Sequence, residues 1–318
     1  MMNTPILILI FNRPEETKKL ITRLEKFKPR YIYIFSDGPR KNNLSDIKLN
    51  RRCKLLIQNL NWKTKVKKKY LKKNLGCKNA VSKGISWFFK NEKMGIILED
   101  DCIPTASFFK FCEWGLKKFK NSKEIGTITG NNFLNFKIKI NSSYYFSKYA
   151  HCWGWATWRD RWKLYDKNIS FWKKWKKSNK YNEIFNIKNE SLYWNKIFNN
   201  VFEGKIDSWA YPWNLCLWYN NKTVLTPKCN LVKNIGFGNS ATHTFIKSDN
   251  VNYNTAKLSF PYKAPVNDKI NIIADNYVFY NHFNGMNYLW PYRLFYILKI
   301  ILINPSFVSF KLKKYFNL

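Results

Sequence analysis

Apolar and polar positions alternate along this chain in two rhythms. Pro5 to Phe11, PILILIF, is a continuous apolar run closed by Asn12, Arg13 and Pro14. An apolar run bounded by a turn predicts a fully buried strand. PEETKKLITRLEKF then places Leu20, Ile21, Leu24 and Phe27 at helical spacing, and RYIYIFSDGP predicts a second buried strand ending at Asp37 and Gly38. A basic helix is expected around Leu49 to Leu60, and VKKKYLKKNLG reads as a third, more exposed strand or loop. CKNAVSKGISWFFKN forms the next helix, with Ala80, Val81, Ile85, Phe88 and Phe89 on one face. MGIILEDD is a further buried strand, TASFFKFCEWGLKKF a helix capped by Thr105, and IGTITG a last short strand.

Strand and helix in alternation predict an α/β fold with a mostly parallel sheet and right-handed crossovers. Ligands of such sheets sit beyond the carboxyl ends of the strands, where Asn12, Asp37 and the acids Glu99, Asp100 and Asp101 fall. From about Asn141 the pattern becomes Trp-rich. YAHCWGWATWRDRWKLYD and SLYWNKIFNNVFEGKIDSWAYPWNLCLWYNN read as helices and connecting loops over the sheet, and KTVLTPKCNLVKNIGFGNSATHT as a strand followed by a loop. The expected organisation is a domain over 1–260, with halves 1–140 and 141–260, and a basic, aromatic, helical extension over 261–318.

Charge changes the picture of partners. The 318 residues carry 56 Lys and Arg against 20 Asp and Glu, a formal net charge of +36. Such a field favours polyanions or an anionic membrane face, although an AT-rich coding bias toward lysine would also produce it. The seven cysteines are scattered without a C-x-x-C pair, so neither a zinc cluster nor a disulfide framework is expected. Reduced thiols suit a cytoplasmic protein. MMNTPILILIFNRP has no basic segment before its apolar run and is expected to be a core strand and not a signal peptide. No stretch reaches the about 18 apolar residues that a membrane span needs. The C-terminal segment, with Arg293, Lys299, Lys311, Lys313 and Lys314 among aromatic and aliphatic residues, would either lie on an anionic bilayer or dock on the protein itself.

Three acids at a strand end need a cation, a basic side chain or water as partner. Hard oxygen ligands few in number suit Mg²⁺ or Mn²⁺, which complete their shell with water and substrate phosphates. A capping patch before CIPTASFF would account for the same acids.

FNRP, SDGP, NLGCKNAVSKG and ILEDDCIPTASFF, in that order, resemble nucleotide-sugar glycosyltransferases of the GT-A fold, as do YAHCWGWATWRDRW, DSWAYPW and NLVKNIGFGNSATHT further on. The likeness, over roughly residues 4 to 245, is to bacterial proteins of the hemolytic-protein-like group and more distantly to N-acetylglucosaminyltransferase I. It implies a metal-dependent, inverting transfer of a hexosyl or N-acetylhexosaminyl group from a nucleoside diphosphate donor, a UDP-sugar first, to a cell-surface glycan or lipid-linked acceptor at the inner membrane face. Asp101 would bind Mn²⁺ or Mg²⁺, with Asp100 near the ribose or the metal's waters and Glu99 in support. Asn12 and Arg13 would border the base, Asp37 would accept from base or ribose, and Asn74 and Gly76 would let the backbone approach the nucleotide. Asp207 is the nearest carboxylate to SWAYPW and the expected general base, or else a helix cap. His243 would bind metal or diphosphate, or only local backbone, and Lys233 with the amides of Gly236 to Ser240 would hold phosphate oxygens. Trp153 or Trp155 would face the acceptor. Two other readings compete. A sugar-nucleotide-forming nucleotidyltransferase would carry a glycine-rich loop after the first strand, which FNRPEETKK lacks, and a basic nucleic-acid-binding protein would gather its lysines on one element, whereas here they are spread.

Overall fold

The computed structural model describes residues 2–236, 254–295 and 298. In chain order the elements are β1 (Ile6–Ile10), α1 (Pro14–Glu25), β2 (Tyr31–Ser36), α2 (Leu44–Gln58), β3 (Lys65–Tyr70), α3 (Cys77–Asn91), β4 (Met94–Glu99), β5 (Cys102–Pro104), α4 (Ala106–Lys118) and β6 (Ile125–Thr129). They continue with β7 (Tyr144–Ser147), β8 (Trp155–Trp158), α5 (Arg159–Trp162), α6 (Trp172–Trp175), α7 (Asn179–Asn182), α8 (Lys188–Phe202), α9 (Ala210–Tyr219), β9 (Thr223–Pro227), β10 (Val232–Asn234) and α10 (Ile272–Asn281).

Eight strands form one sheet in the order β3-β2-β1-β4-β8-β6-β9-β7, so the protein is α/β with a large, mostly parallel sheet flanked by helices. Strands β1 to β4 pair in parallel, β8 runs antiparallel to both β4 and β6, β6 and β9 are parallel, and β7 is antiparallel to β9. The chain winds outward from β1 through β2 to β3 and then returns to β4 on the other side of β1. The gap between β1 and β4 is therefore a topological switch point, where a crevice opens at the carboxyl ends of the strands.

Side chains of β1 divide between two layers because successive residues point to opposite faces. Ile6, Ile8 and Ile10 pack with Leu20 and Leu24 of α1, Cys53 and Ile57 of α2 and Phe108 and Phe111 of α4. Leu7 and Leu9 pack with Ile85 and Phe88 of α3 and Trp213 and Leu217 of α9. A third cluster gathers Tyr149, Trp172, Trp194, Phe198 and Trp218 with Ala274, Val278 and Phe279 of α10. Helix α10 is thus packed into the body of the protein, with Asp275 buried against Ser147 and Lys148.

Two sequence expectations change and one open alternative is decided. Helix α2 begins at Leu44 and not near Leu49, because the Asn43 side chain accepts from the Asp46 amide and caps it there. The ambiguous lysine-rich stretch is strand β3, half-solvated at the sheet edge. Trp155–Trp158 is a sheet strand where loops and helices were expected, Tyr144–Ser147 is another, and all their residues are buried. A four-residue strand covered on both faces shows no polar alternation to read. The seven cysteines are all free. No helix among the described residues is long and apolar enough to cross a membrane.

Candidate functional site

The acids of the β4 tip lie beside the end of β1. Glu99 pairs with Leu9 at the last position of the ladder, after which Asp100 and Asp101 turn the chain into β5. That turn ends the strand alternation, so Asp100 and Asp101 both reach the same partner, Arg13. Its Nη2 lies 2.6 Å from Asp100 Oδ1 and its Nη1 2.7 Å from Asp101 Oδ2. The Phe11 amide donates to Asp100 Oδ2 at 3.3 Å, the Cys102 thiol to Asp101 Oδ1 at 3.4 Å, and the Trp209 indole to Glu99 Oε1 at 3.3 Å. Burial pushes the Glu99 and Asp100 carboxyls upward, Asp101's negative charge adds to this, and Arg13 works against it. Burial opposes the Arg13 charge, but Asp100, Asp101 and Glu99 outweigh it and raise its pKa further.

Strand β10 closes this cluster from outside. It pairs antiparallel with β5, and the Ile235 amide donates to the Asp101 carbonyl at 2.9 Å. Gly236 follows so closely that a Cβ there would lie 2.1 Å from Asp101 Oδ2 and 2.8 Å from Arg13 Nη1. Lys233 is exposed on the same strand. His243 and Gly238 to Ser240 lie outside the described residues.

A second constellation stands at the end of β2. Asp37 accepts from the amides of Gly38 at 2.8 Å and Leu75 at 3.0 Å, and from Asn74 Nδ2 at 2.9 Å. Burial raises the Asp37 pKa, and the amides of Leu75, Gly38 and Gly76 work against that rise. Gly76 adopts φ +77°, and a Cβ there would lie 2.9 Å from Asp207 Oδ2. Asp207 crosses from the loop before α9 to accept from the first amides of α3, Cys77 at 2.9 Å and Lys78 at 3.0 Å. It caps α3, which has glycine and hence no side chain of its own at that position, and does not cap the helix that follows it in sequence.

Asn12 donates to Asp46 Oδ1 at 2.8 Å, so its amide ties the end of β1 to α2. Arg40 grips the same carboxylate, and that contact, opposed by burial and helped by Asn12, lowers the Asp46 pKa to about 2. Asn50 donates to the carbonyls of Phe11 at 2.8 Å and Asp37 at 3.0 Å, linking the tips of β1 and β2. Asp46 and Asn50 were not foreseen, because one Asp and one Asn within a polar helix carry no spacing signal in a chain so rich in asparagine. Trp155 is 1% exposed and packed between Trp209 and Trp213, so both its faces are covered by protein. Trp153 is half-buried beside Phe133, and its amide donates to Asn131 Oδ1 at 2.7 Å.

The donor set at the β4 tip suits a hard divalent cation. Its oxygens are carboxylates, and Arg13 already pairs with two of them, at 2.6 Å and 2.7 Å. Among the described residues no three His, Cys, Asp or Glu side chains gather into a closed metal cage. One or two carboxylates without a cage is how proteins hold Mg²⁺ that shares its shell with substrate phosphates.

No family model matches the chain, and neither does any curated protein. Among solved structures, a galactosyltransferase, LgtC, in complex with donor and acceptor sugar analogs aligns with TM-score 0.33 and 10% identity over 62% of this chain and 69% of that one. The apo form of glycosyltransferase GlyE from Streptococcus pneumoniae TIGR4 aligns with TM-score 0.26 and 9% identity over 65% of this chain and 45% of that one. At these scores neither alignment assigns a function to this chain.

Proposed function

We propose that this protein is a glycosyltransferase that takes its sugar from a nucleoside diphosphate donor, a UDP-sugar first, and passes it to a hydroxyl of a cell-surface glycan or lipid-linked acceptor. The observation that carries this reading is the meeting of Asp100, Asp101 and Arg13 between the tips of β1 and β4, at the switch point of the sheet. Asp37, Asn74 and Gly76 stand at the adjacent tip of β2, and the amides they engage would bring backbone close to base and ribose.

In this reading Asp101, helped by Asp100, would hold Mn²⁺ or Mg²⁺, which would neutralise charge on the departing diphosphate. Arg13 and the backbone around Gly236 border the phosphates. Asp207 takes the proton of the acceptor hydroxyl. The two amides it accepts use two of its roughly four lone-pair positions, and it is exposed, which leaves the carboxylate open to an acceptor. The acceptor oxygen then bonds to the anomeric carbon as the bond from that carbon to the diphosphate breaks, with inversion. Trp153, half-buried, offers the acceptor an apolar face. The net charge of +36 and the exposed Trp290, Leu294 and Phe295 support work at the inner face of an anionic membrane.

The test is a thermal-shift panel of UDP, GDP, CMP and their common sugars, each with and without Mn²⁺, on the wild type and Asp101→Asn. Stabilisation by one nucleotide that needs metal and is lost in the variant is the expected result. A melting temperature that no nucleotide moves would sink the proposal.

A further inference from the structure

We infer that Arg13 is a built-in counter-cation that keeps free divalent metal off the acids, so that metal enters only together with a diphosphate. This rests on the donor-site reading above and adds an order of loading to it.

The guanidinium spends one nitrogen on each carboxylate, at 2.6 Å and 2.7 Å, with side-chain exposures of 15% for Arg13, 2% for Asp100 and 11% for Asp101. Both Asp101 oxygens are engaged, one by Arg13 and the other by the Cys102 thiol. Gly236 packs against the Asp101–Arg13 contact so closely that a Cβ there would lie 2.1 Å from Asp101 Oδ2 and 2.8 Å from Arg13 Nη1, which leaves little room beside the guanidinium on that side. A free aquo-cation therefore reaches Asp101 Oδ2 only by expelling Arg13.

Expulsion alone is unfavourable, because a largely desolvated guanidinium would lose its carboxylates. The chain has 20 acids for 56 Lys and Arg, so substitutes are scarce. A diphosphate removes both obstacles. Its oxygens match the planar fork of arginine, and they supply the metal ligands that two carboxylates do not. Metal and diphosphate each relieve what opposes the other, and by linkage each must tighten the other.

The measurement is the loss of the free Mn²⁺ paramagnetic signal on titration into the wild type, Arg13→Gln and Arg13→Lys, with and without UDP. In the wild type UDP is expected to tighten Mn²⁺ binding ~10-fold or more, within the usual range of coupling. Arg13→Gln is expected to bind Mn²⁺ alone ~10-fold more tightly than the wild type and to lose most of the UDP effect. Arg13→Lys keeps the charge and should still exclude free Mn²⁺. Asp101→Asn added to Arg13→Gln should abolish the gain, which locates the ion. Equal affinity for Mn²⁺ alone in wild type and Arg13→Gln overturns the inference, as does UDP binding to the wild type that Mn²⁺ does not affect. A gain in Arg13→Gln with no UDP binding to any variant would leave the exclusion by Arg13 standing and reject the nucleotide reading instead.

Discussion

Lys148 and Glu190 form an ion pair inside the third aromatic cluster, and breaking it is the sharpest stability test that the fold offers. The Lys148 ammonium lies 2.8 Å from the Glu190 carboxylate, with side-chain exposures of 4% and 0%, and also donates to the Ile184 carbonyl at 3.1 Å. Tyr149 donates its hydroxyl to the same carboxylate. At 2.8 Å and an effective dielectric of about 20 the attraction is ~6 kcal/mol. Lys148→Met keeps the length of the side chain and removes the cation. The variant no longer carries the desolvation of the ammonium, which returns part of that attraction, but it leaves Glu190 charged and buried with Tyr149. The expected net loss is ~3–5 kcal/mol, the usual cost of orphaning one partner of a buried pair. Urea unfolding followed by tryptophan fluorescence reads this as a midpoint lowered by more than ~1 M at slopes of ~1–3 kcal/mol/M. Adding Glu190→Gln should restore ~1–3 kcal/mol, because the orphaned charge is then gone. A loss below ~1 kcal/mol from Lys148→Met would refute the reasoning, since that is what a solvated surface pair contributes.

Three further outcomes are expected. Asp37→Asn turns an acceptor of three donors into a group that presents its own amide to some of them, so stability should fall by ~1–3 kcal/mol, and UDP affinity, read by titration calorimetry, should fall with it; unchanged affinity would detach Asp37 from the nucleotide. Burial lifts the Asp275 pKa to about 7, against the Ser147 hydroxyl and the Lys148 amide, so the folded protein holds a proton that the unfolded chain releases. Its contribution is therefore fully present below its unfolded pKa and is lost as pH rises toward 7, at up to ~1.4 kcal/mol per unit; Asp275→Asn should flatten this slope in urea denaturation between those limits, and an identical slope would refute it. Asp207→Asn should slow hydrolysis of the UDP-sugar ~10²–10⁴-fold, as loss of a general base does, while the weakened cap of α3 costs ~0.5–2 kcal/mol; retained hydrolysis with only a lowered melting temperature would make Asp207 an anchor alone.

Where local sequence and tertiary environment agree, the chain is legible. Ile6–Ile10 is apolar at every position because it is buried on both faces, and helix α4 starts where Thr105 accepts from the Phe108 amide. The acids Glu99 to Asp101 announce themselves as charge at the end of such a strand. Trp155–Trp158 does not, because a central antiparallel strand made of Trp, Ala and Thr looks the same as a helix or a packed loop over four residues.

The sequence by itself determined the two layers around β1, the parallel order of the first strands and the gathering of carboxylates at their tips, because each depends on periodicity and punctuation within a few residues. Only the tertiary structure decided what those carboxylates meet. Arg13 lies 88 residues from Asp101 in the chain, and Asp207 lies 130 from the Cys77 amide that it caps. Contacts at such separations are set by how the β1–β4 switch point, the β5–β10 pair and the loop before α9 close on one another, and no local pattern encodes that closure.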